Sequence, residues 1–376
     1  MQALEYLREL ISFPSVSSVS NVDITDCVEQ WLRRLFFETE RISYRDSRGV
    51  LKTSVVARRG PNSGAGLAWF GHTDVVPVDS WSYPHCGPWQ AYEADGRVYG
   101  RGSCDMKGPV ACLLAAAATI APEQQRAPLW FVATADEEVG MLGARSVAAD
   151  SRLYRSIVAE AAGAIIGEPT GLRVVYAHKG GRTVTAISRG RAAHSSTGLG
   201  RNACMALIPF LEEIRCINEE LETQPQWHDA RFHPPTPTLN LLLHDTNIGI
   251  NITSPLASCH AYFRPMPGQP ADELVSRMQA AAVRCGLQFE VTFCSEPLYT
   301  DPQSPFIAEL LQISGTHRAE TVAYGTDGAV LTELTNKAVW GPGDIAQAHT
   351  DDEWISLQQL ERGTELYAAA IRRWCC

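Results

Sequence analysis

Three short apolar runs, GLAWFG at 66–71, LWFVAT at 129–134 and AAGAIIG at 161–167, are set apart by stretches of helical character. The clearest of these is the Ala-rich PVACLLAAAATIAP at 109–122, which predicts a helix over 109–121. Apolar strands alternating with helices predict an α/β fold, a mostly parallel sheet with helices on both faces. The residues just beyond each run constrain the chain as much as the run itself. The first run leads into His72, Thr73 and Asp74, the second into Asp136, Glu137 and Glu138, and the third into Glu168. Open α/β sheets keep their sites beyond the carboxyl ends of their strands.

After His178 the pattern changes. TVTAISRG, TLNLLL, ASCHAYFR and LQFEVTF predict strands, and NACMALIPFLEEIRCINEEL and ADELVSRMQAAAVRCG predict amphipathic helices. Their order, β-α-β-β-α-β, is the split βαβ arrangement of a small ferredoxin-like domain. The Pro- and His-rich QPQWHDARFHPPTPT between its first helix and second strand predicts a loop. From about residue 294 the helix–strand pattern resumes, ending in SLQQLERGTELYAAAIRRW. A chain of 376 residues exceeds what one core usually supports. The expected division is a catalytic domain formed by 1–178 and 294–376, with 179–293 inserted into it.

Composition excludes several functions. A formal net charge of −10 argues against nucleic acid, whose binding needs basic patches. No apolar stretch approaches a membrane span. The opening MQALEYLRELISFPS lacks the layout of a signal peptide, so the expected location is the cytoplasm. The 11 cysteines are odd in number, scattered and without a CxxC pair, which predicts reduced thiols. There is no GxSxG elbow, P-loop or dinucleotide fingerprint.

The polar residues at the strand ends have a chemistry in common. His72 and Asp74 project to one side of an extended chain. A metal-bound imidazole usually donates its second N–H to a carboxylate, so HxD fits a ligand with its orienter as well as a satisfied surface histidine. Asp105, in GRGSCDMKG, is a ligand candidate or an N-cap of the Ala-rich helix. Neighbouring Glu137 and Glu138 cannot share one direction: one can face a metal and the other a water, or both form a solvated acidic loop. His349, in GPGDIAQAHTDDEW, is followed by Asp351, Asp352 and Glu353, which fit a solvated loop or an attraction for cationic substrates. Together these residues make an N/O donor set suited to Zn²⁺ or a neighbouring divalent ion. One shared aspartate with four other ligands suffices for two metals about 3.5–4 Å apart.

GHTDVVP, GRGSCDMKG, TADEEVG, GEPT, AHSS with GRNA, FRPMPG and GPGDIAQAH succeed one another along nearly the whole chain. In that order they resemble the di-zinc metallohydrolase family of acetylornithine deacetylase, succinyl-diaminopimelate desuccinylase, aminoacylase and glutamate carboxypeptidase. HPPTPTLNL, FRPMPG and GPGDIAQAHTDDE are most similar to the acetylornithine deacetylase branch. The resemblance implies that His72 and Glu168 bind one metal, Glu138 and His349 the other, and Asp105 bridges them. It further implies two Zn²⁺ per subunit, with Co²⁺ or Mn²⁺ as substitutes, and a cis peptide after Asp105. Asp74 would orient His72, and Glu137 would act as general base on a metal-bridged water. His194 would reach the partner's site in a homodimer as an oxyanion donor. Arg264 and Asn251 would recognise the substrate carboxylate and its polar neighbours, and Gly325 and Thr326 would line the same pocket. The sequence departs from the family in one respect: a member more often has an aspartate shortly before the Arg, where this chain has AYFR.

The activity so implied is hydrolysis of an N-acyl amino acid, with N-acetylornithine the first candidate. A desuccinylase, dipeptidase or carboxypeptidase would share the chemistry. A non-catalytic dimeric binding protein on the same fold is the alternative from another class, because fold alone does not fix function.

Overall fold

The structure, a computed structural model, describes residues 1–247 and 249–376. Contacts divide the chain into two compact units. One comprises Met1–Ala177, Tyr299–Glu320 and Thr326–Cys376; the other comprises His178–Leu298 and Thr321–Gly325.

The first unit is built on the predicted apolar strands. Gly66–His72 is buried along its whole length and lies parallel to both Leu129–Thr134 and Ala161–Ile166. Lys337–Val339 continues the sheet in parallel beyond Ala161–Ile166. Alternate side chains of a strand leave opposite faces of the sheet. Trp69 meets Tyr367 of the helix Leu357–Cys375, ring centroids 6.0 Å apart. Its neighbour Phe70 meets Tyr154 of the helix Arg152–Glu160 at 6.5 Å. Helices therefore cover both faces, as the uninterrupted burial requires.

The edges depart from the parallel pattern. Glu38–Arg45 and Leu51–Arg59 form an antiparallel hairpin whose second strand pairs antiparallel with Leu129–Thr134. On the other side Lys337–Val339 pairs antiparallel with Val175–His178. The sheet is thus largely parallel only at its centre. Glu38–Arg45 leaves little trace in the sequence because it is an edge strand in which only Ile42 is buried.

The glycines before His72 and Glu168 have a packing reason. A Cβ on Gly71 would stand 2.5 Å from Trp69 Cη2, and one on Gly167 2.3 Å from Trp69 Cζ2. The buried indole passes beneath both positions, so each ligand candidate follows a residue that can carry no side chain.

In the second unit the strands Gly181–Arg189, Thr238–Asp245, Leu256–Arg264 and Gln288–Ser295 form an antiparallel sheet. In chain order its strands lie second, third, first, fourth, the ferredoxin-like arrangement. Leu256–Arg264 alternates buried and half-buried residues. Its buried set, Ala257, Cys259, Ala261 and Phe263, joins Phe210, Ile214 and Ile217 of the helix Ala203–Thr223 and Leu274 and Met278 of Ala271–Arg284 in one core. All cysteines are free thiols. No helix among the described residues is long and apolar enough to cross a membrane.

Candidate metal centre

His72 ends its strand with the imidazole 1% exposed. Its Nδ1 lies 2.9 Å from the main-chain oxygen of Asp74. A carbonyl can only accept, so Nδ1 carries a proton and Nε2 is the ring atom turned toward the acids. The Asp74 carboxylate is farther from the ring, at 3.6 Å. It accepts instead from the Ser17 hydroxyl at 2.7 Å and from the amides of Glu137 and Glu138 at 3.2 and 3.3 Å. The main-chain oxygen of Asp74 faces the ring, while its side chain ties the HTD segment to the Glu137–Glu138 loop.

The other ligand candidates of this unit converge on the two imidazoles. Asp105 Oδ1 lies 3.1 Å from His72 Nε2, and its Oδ2 lies 3.3 Å from His349 Nε2. Glu168 approaches His72 Nε2 at 3.6 Å, and both oxygens of Glu138 approach His349 Nε2 at 3.1 Å. Asp105 thus stands between two sets, one with His72 and Glu168, the other with His349 and Glu138. It does not cap the following helix, Lys107–Ala118, whose N-cap position falls to Met106. The Asp105–Met106 peptide is cis. Glu137 is near enough to share a site with His72 and Glu168, their ligand atoms lying within 4.8 Å of one another.

The donor chemistry fits a cation. His72 Nε2 faces the carboxylate oxygens of Asp105 and Glu168, a contact that needs either a proton on the nitrogen or a cation between them. The electrostatics show the same excess of negative charge. Burial, reinforced by Asp105, pushes Glu168 well above the ordinary carboxylate range. Burial likewise lifts Glu137, with Glu168, Asp327 and Glu138 adding to it. Hydrogen bonds to Asp105 and Glu138 raise His349 to about 10. His72 is held well above its usual value although burial opposes it, by Asp105 and then by Glu168 and Asp74. Two imidazoles of nitrogen-ligand type and several carboxylates suit zinc or a neighbouring divalent metal.

Several supporting residues lie outside the sequence expectations. The side chain of Lys52, buried near the start of its strand, donates to Asp136 at 2.7 Å and to the main-chain oxygens of Ser17 and Val19 at 2.8 Å. Tyr44 donates its hydroxyl to the other oxygen of Asp136 at 2.7 Å. These bonds anchor the loop that carries Glu137 and Glu138. A lysine within the strand LKTSVVARR was the available signal. Asp327, next to the expected Thr326, is 1% exposed and accepts from Thr134 at 2.5 Å. Its Oδ1 has no hydrogen-bond partner among the described residues. Glu353 also differs from the expectation. Asp351 and Asp352 are exposed, but Glu353 is 1% exposed and does not belong to a solvated acidic loop.

His194, Asn251, Arg264 and Gly325 belong to the second unit, whereas buried Thr326 belongs to the first. His194 is exposed, with Nδ1 2.8 Å from the Ser196 hydroxyl. The Ser195 amide donates to the Asn251 main-chain oxygen at 2.9 Å, which joins the AHSS and NITS segments. Arg264 ends its strand with the guanidinium 4.9 Å from the centroid of the Tyr262 ring.

A two-histidine, multi-carboxylate cluster gathered from the strand ends and adjoining loops of an α/β unit is a metallohydrolase-type centre. The profile of Peptidase family M20/M25/M40 matches residues 68–373, and the chain belongs to this family. It is 34% identical over 382 residues to an acetylornithine deacetylase of Myxococcus xanthus, covering 98% of this chain and 96% of that one. It is 31% identical to an acetylornithine deacetylase of Proteus mirabilis (strain HI4320), covering 99% and 96%. Among solved structures, an M20 family metallo-carboxypeptidase from Sulfolobus solfataricus superposes with a TM-score of 0.76 at 18% identity, over 100% of this chain and 99% of that one. A dinuclear metal-binding peptidase of the M20 family from Bacillus subtilis gives 0.65 at 14%, over 99% and 97%. These two likenesses concern the fold alone. The chain is a hydrolase of this family, acting on amide bonds.

Proposed function

We propose that this chain removes the acyl group from an N-acyl amino acid, with N-acetylornithine as the preferred substrate and two Zn²⁺ per chain. The observation that carries the metal part is Asp105, one carboxylate within hydrogen-bond range of both His72 and His349. His72, Glu168 and Asp105 would hold one ion, and His349, Glu138 and Asp105 the other. Paired ions of this kind polarise a carbonyl and make water nucleophilic near neutral pH. Glu137 takes the proton of the attacking water and delivers it to the leaving amine. Asp74 keeps Glu137 in place through its amide. His194 donates to the developing oxyanion, an interaction typically worth about 2.7–4 kcal/mol.

Arg264 pairs with the amino acid carboxylate because its planar fork meets two oxygens at once. Asn251, Gly325 and Thr326 serve the same recognition. The choice of N-acetylornithine is supported by relatives at 31–34% identity named acetylornithine deacetylase. A net charge of −10 favours a substrate with a cationic side chain by long-range attraction.

The protein acts as a homodimer in this proposal. Leu242 of the edge strand Thr238–Asp245 is 53% exposed, and Met205 of the helix Ala203–Thr223 is 63% exposed. An edge strand with exposed apolar side chains is suited to pairing with a second copy. Inactive His194→Ala mixed with inactive Glu137→Gln is expected to regain part of the activity, since one hybrid site then holds both intact groups. Absence of rescue with subunit exchange verified removes His194 from the partner's site.

Glu137→Gln keeps the shape of the side chain and removes its proton affinity. Turnover should fall at least about 10²-fold with metal content unchanged. Loss of metal instead would make Glu137 a ligand beside His72 and Glu168. For the substrate, kcat/KM is compared among N-acetylornithine, N-succinyl-diaminopimelate, a dipeptide and N-acetylmethionine. N-acetylornithine should lead. A lead of more than about tenfold for the succinyl substrate or the dipeptide, about 1.4 kcal/mol in the transition state, overturns the deacetylase reading and leaves the amidohydrolase.

A further inference from the structure

Glu353 lies on the segment that carries His349, yet its side chain turns into the protein. Its Oε1 accepts from the amides of Cys104 and Asp105 at 2.8 and 2.9 Å. Its Oε2 accepts from the amide of Gly102 and from Arg101 Nη1, both at 2.9 Å. Both side chains of the Arg101–Glu353 pair are 1% exposed. The main chain joins the same two segments: the Gly100 amide donates to the Glu353 carbonyl at 3.0 Å, and Trp354–Ser356 pairs with Arg97–Tyr99. The turn from Gly102 to Asp105 therefore presents several of its amides to one carboxylate. Such a concavity usually takes an anion, and here the chain supplies its own.

Two features give this arrangement a consequence at the metal centre. Asp105 is the residue shared by both ligand sets, and its own amide is one of the four donors held by Glu353. The two histidines are also unequally supported. His72 is 1% exposed at the end of a buried strand, whereas the side chain of His349 is 52% exposed on a loop. Beyond His349, that loop is anchored by Glu353.

We infer that Glu353 is a positioning residue for the metal site formed by Asp105, Glu138 and His349: by fixing Asp105 relative to the His349 segment it sets the affinity of that site. This rests on the two-ion reading above. It separates Glu353 from its exposed neighbours Asp351 and Asp352, because a carboxylate occupied by four buried donors is not available to attract substrate. Residues that orient metal ligands typically change affinity by about 10–100-fold when removed. The effect should fall more heavily on the ion beside His349, which loses the anchor of its loop as well as the hold on Asp105, whereas His72 and Glu168 keep their own supports.

The test is calorimetric titration of metal-free protein with Zn²⁺, for wild type, Glu353→Gln and the double variant Arg101→Met/Glu353→Gln. The double variant removes the buried cation that Glu353→Gln would leave unpaired, so it covers the case in which the single variant does not fold. Wild type should bind two ions in separable steps. The variants should bind the second about 10–100-fold more weakly and the first with a clearly smaller loss. Unchanged affinity for the second ion in a folded variant overturns the inference, as does equal weakening of both ions. Failure of both variants to fold also overturns it, by making Glu353 part of the framework alone. A wild-type protein that binds fewer than two ions defeats the two-ion reading itself, a result distinct from the other outcomes.

Discussion

Too many carboxylates share one buried space with too few positive charges. Asp105, Glu168 and Asp327 are nearly inaccessible, and the carboxylates of Glu137 and Glu138 lie beside them. The imidazoles of His72 and His349 pair with Asp105, Glu168 and Glu138. Burying charge without a partner is costly, so such a group either takes a proton or a cation. Burial raises Glu137, Glu138 and Glu168 above the ordinary carboxylate range. A divalent pair resolves the same conflict without protons and leaves a carboxylate to act as base.

Keeping such acids close together requires a rigid frame, and main-chain amides supply much of it. The Asp74 carboxylate holds the amides of Glu137 and Glu138, and the Glu353 carboxylate holds those of Gly102, Cys104 and Asp105. Lys52 and Tyr44 hold Asp136 from the other side. In each case an acid near the centre is occupied as an acceptor, which fixes a loop. Preorganised ligands of this kind allow a site on loops to be as definite as one on strands.

Local patterns made much of this legible in the sequence. The strands around His72, Glu137 and Glu168 are continuous apolar runs, and the acids come directly after them, so fold and ligand candidates emerged from the same residues. The order of the smaller unit was equally plain, because Leu256–Arg264 alternates along its length and its helices are amphipathic. The features that stayed hidden depend on long-range partners. Glu38–Arg45 buries only Ile42 and has no apolar signature. The placement of Thr321–Gly325 with the second unit comes from packing alone. Nothing adjacent to Lys52 announces Asp136 as its partner, and Glu353 looks like Asp351 and Asp352 until the turn at Gly102–Asp105 closes around it. HxD suggested that the Asp74 carboxylate serves the ring, but the local backbone offers its own carbonyl first.

The proposed chemistry of the centre turns on Asp105 being shared by two metal ions. The most direct test is anomalous diffraction from crystals grown with Zn²⁺, measured on either side of the zinc absorption edge. Two peaks about 3.5–4 Å apart are expected, one between His72 and Glu168 and one between His349 and Glu138, with an oxygen of Asp105 on each. A single peak, or two peaks bridged by Glu137 with Asp105 on neither, would contradict it.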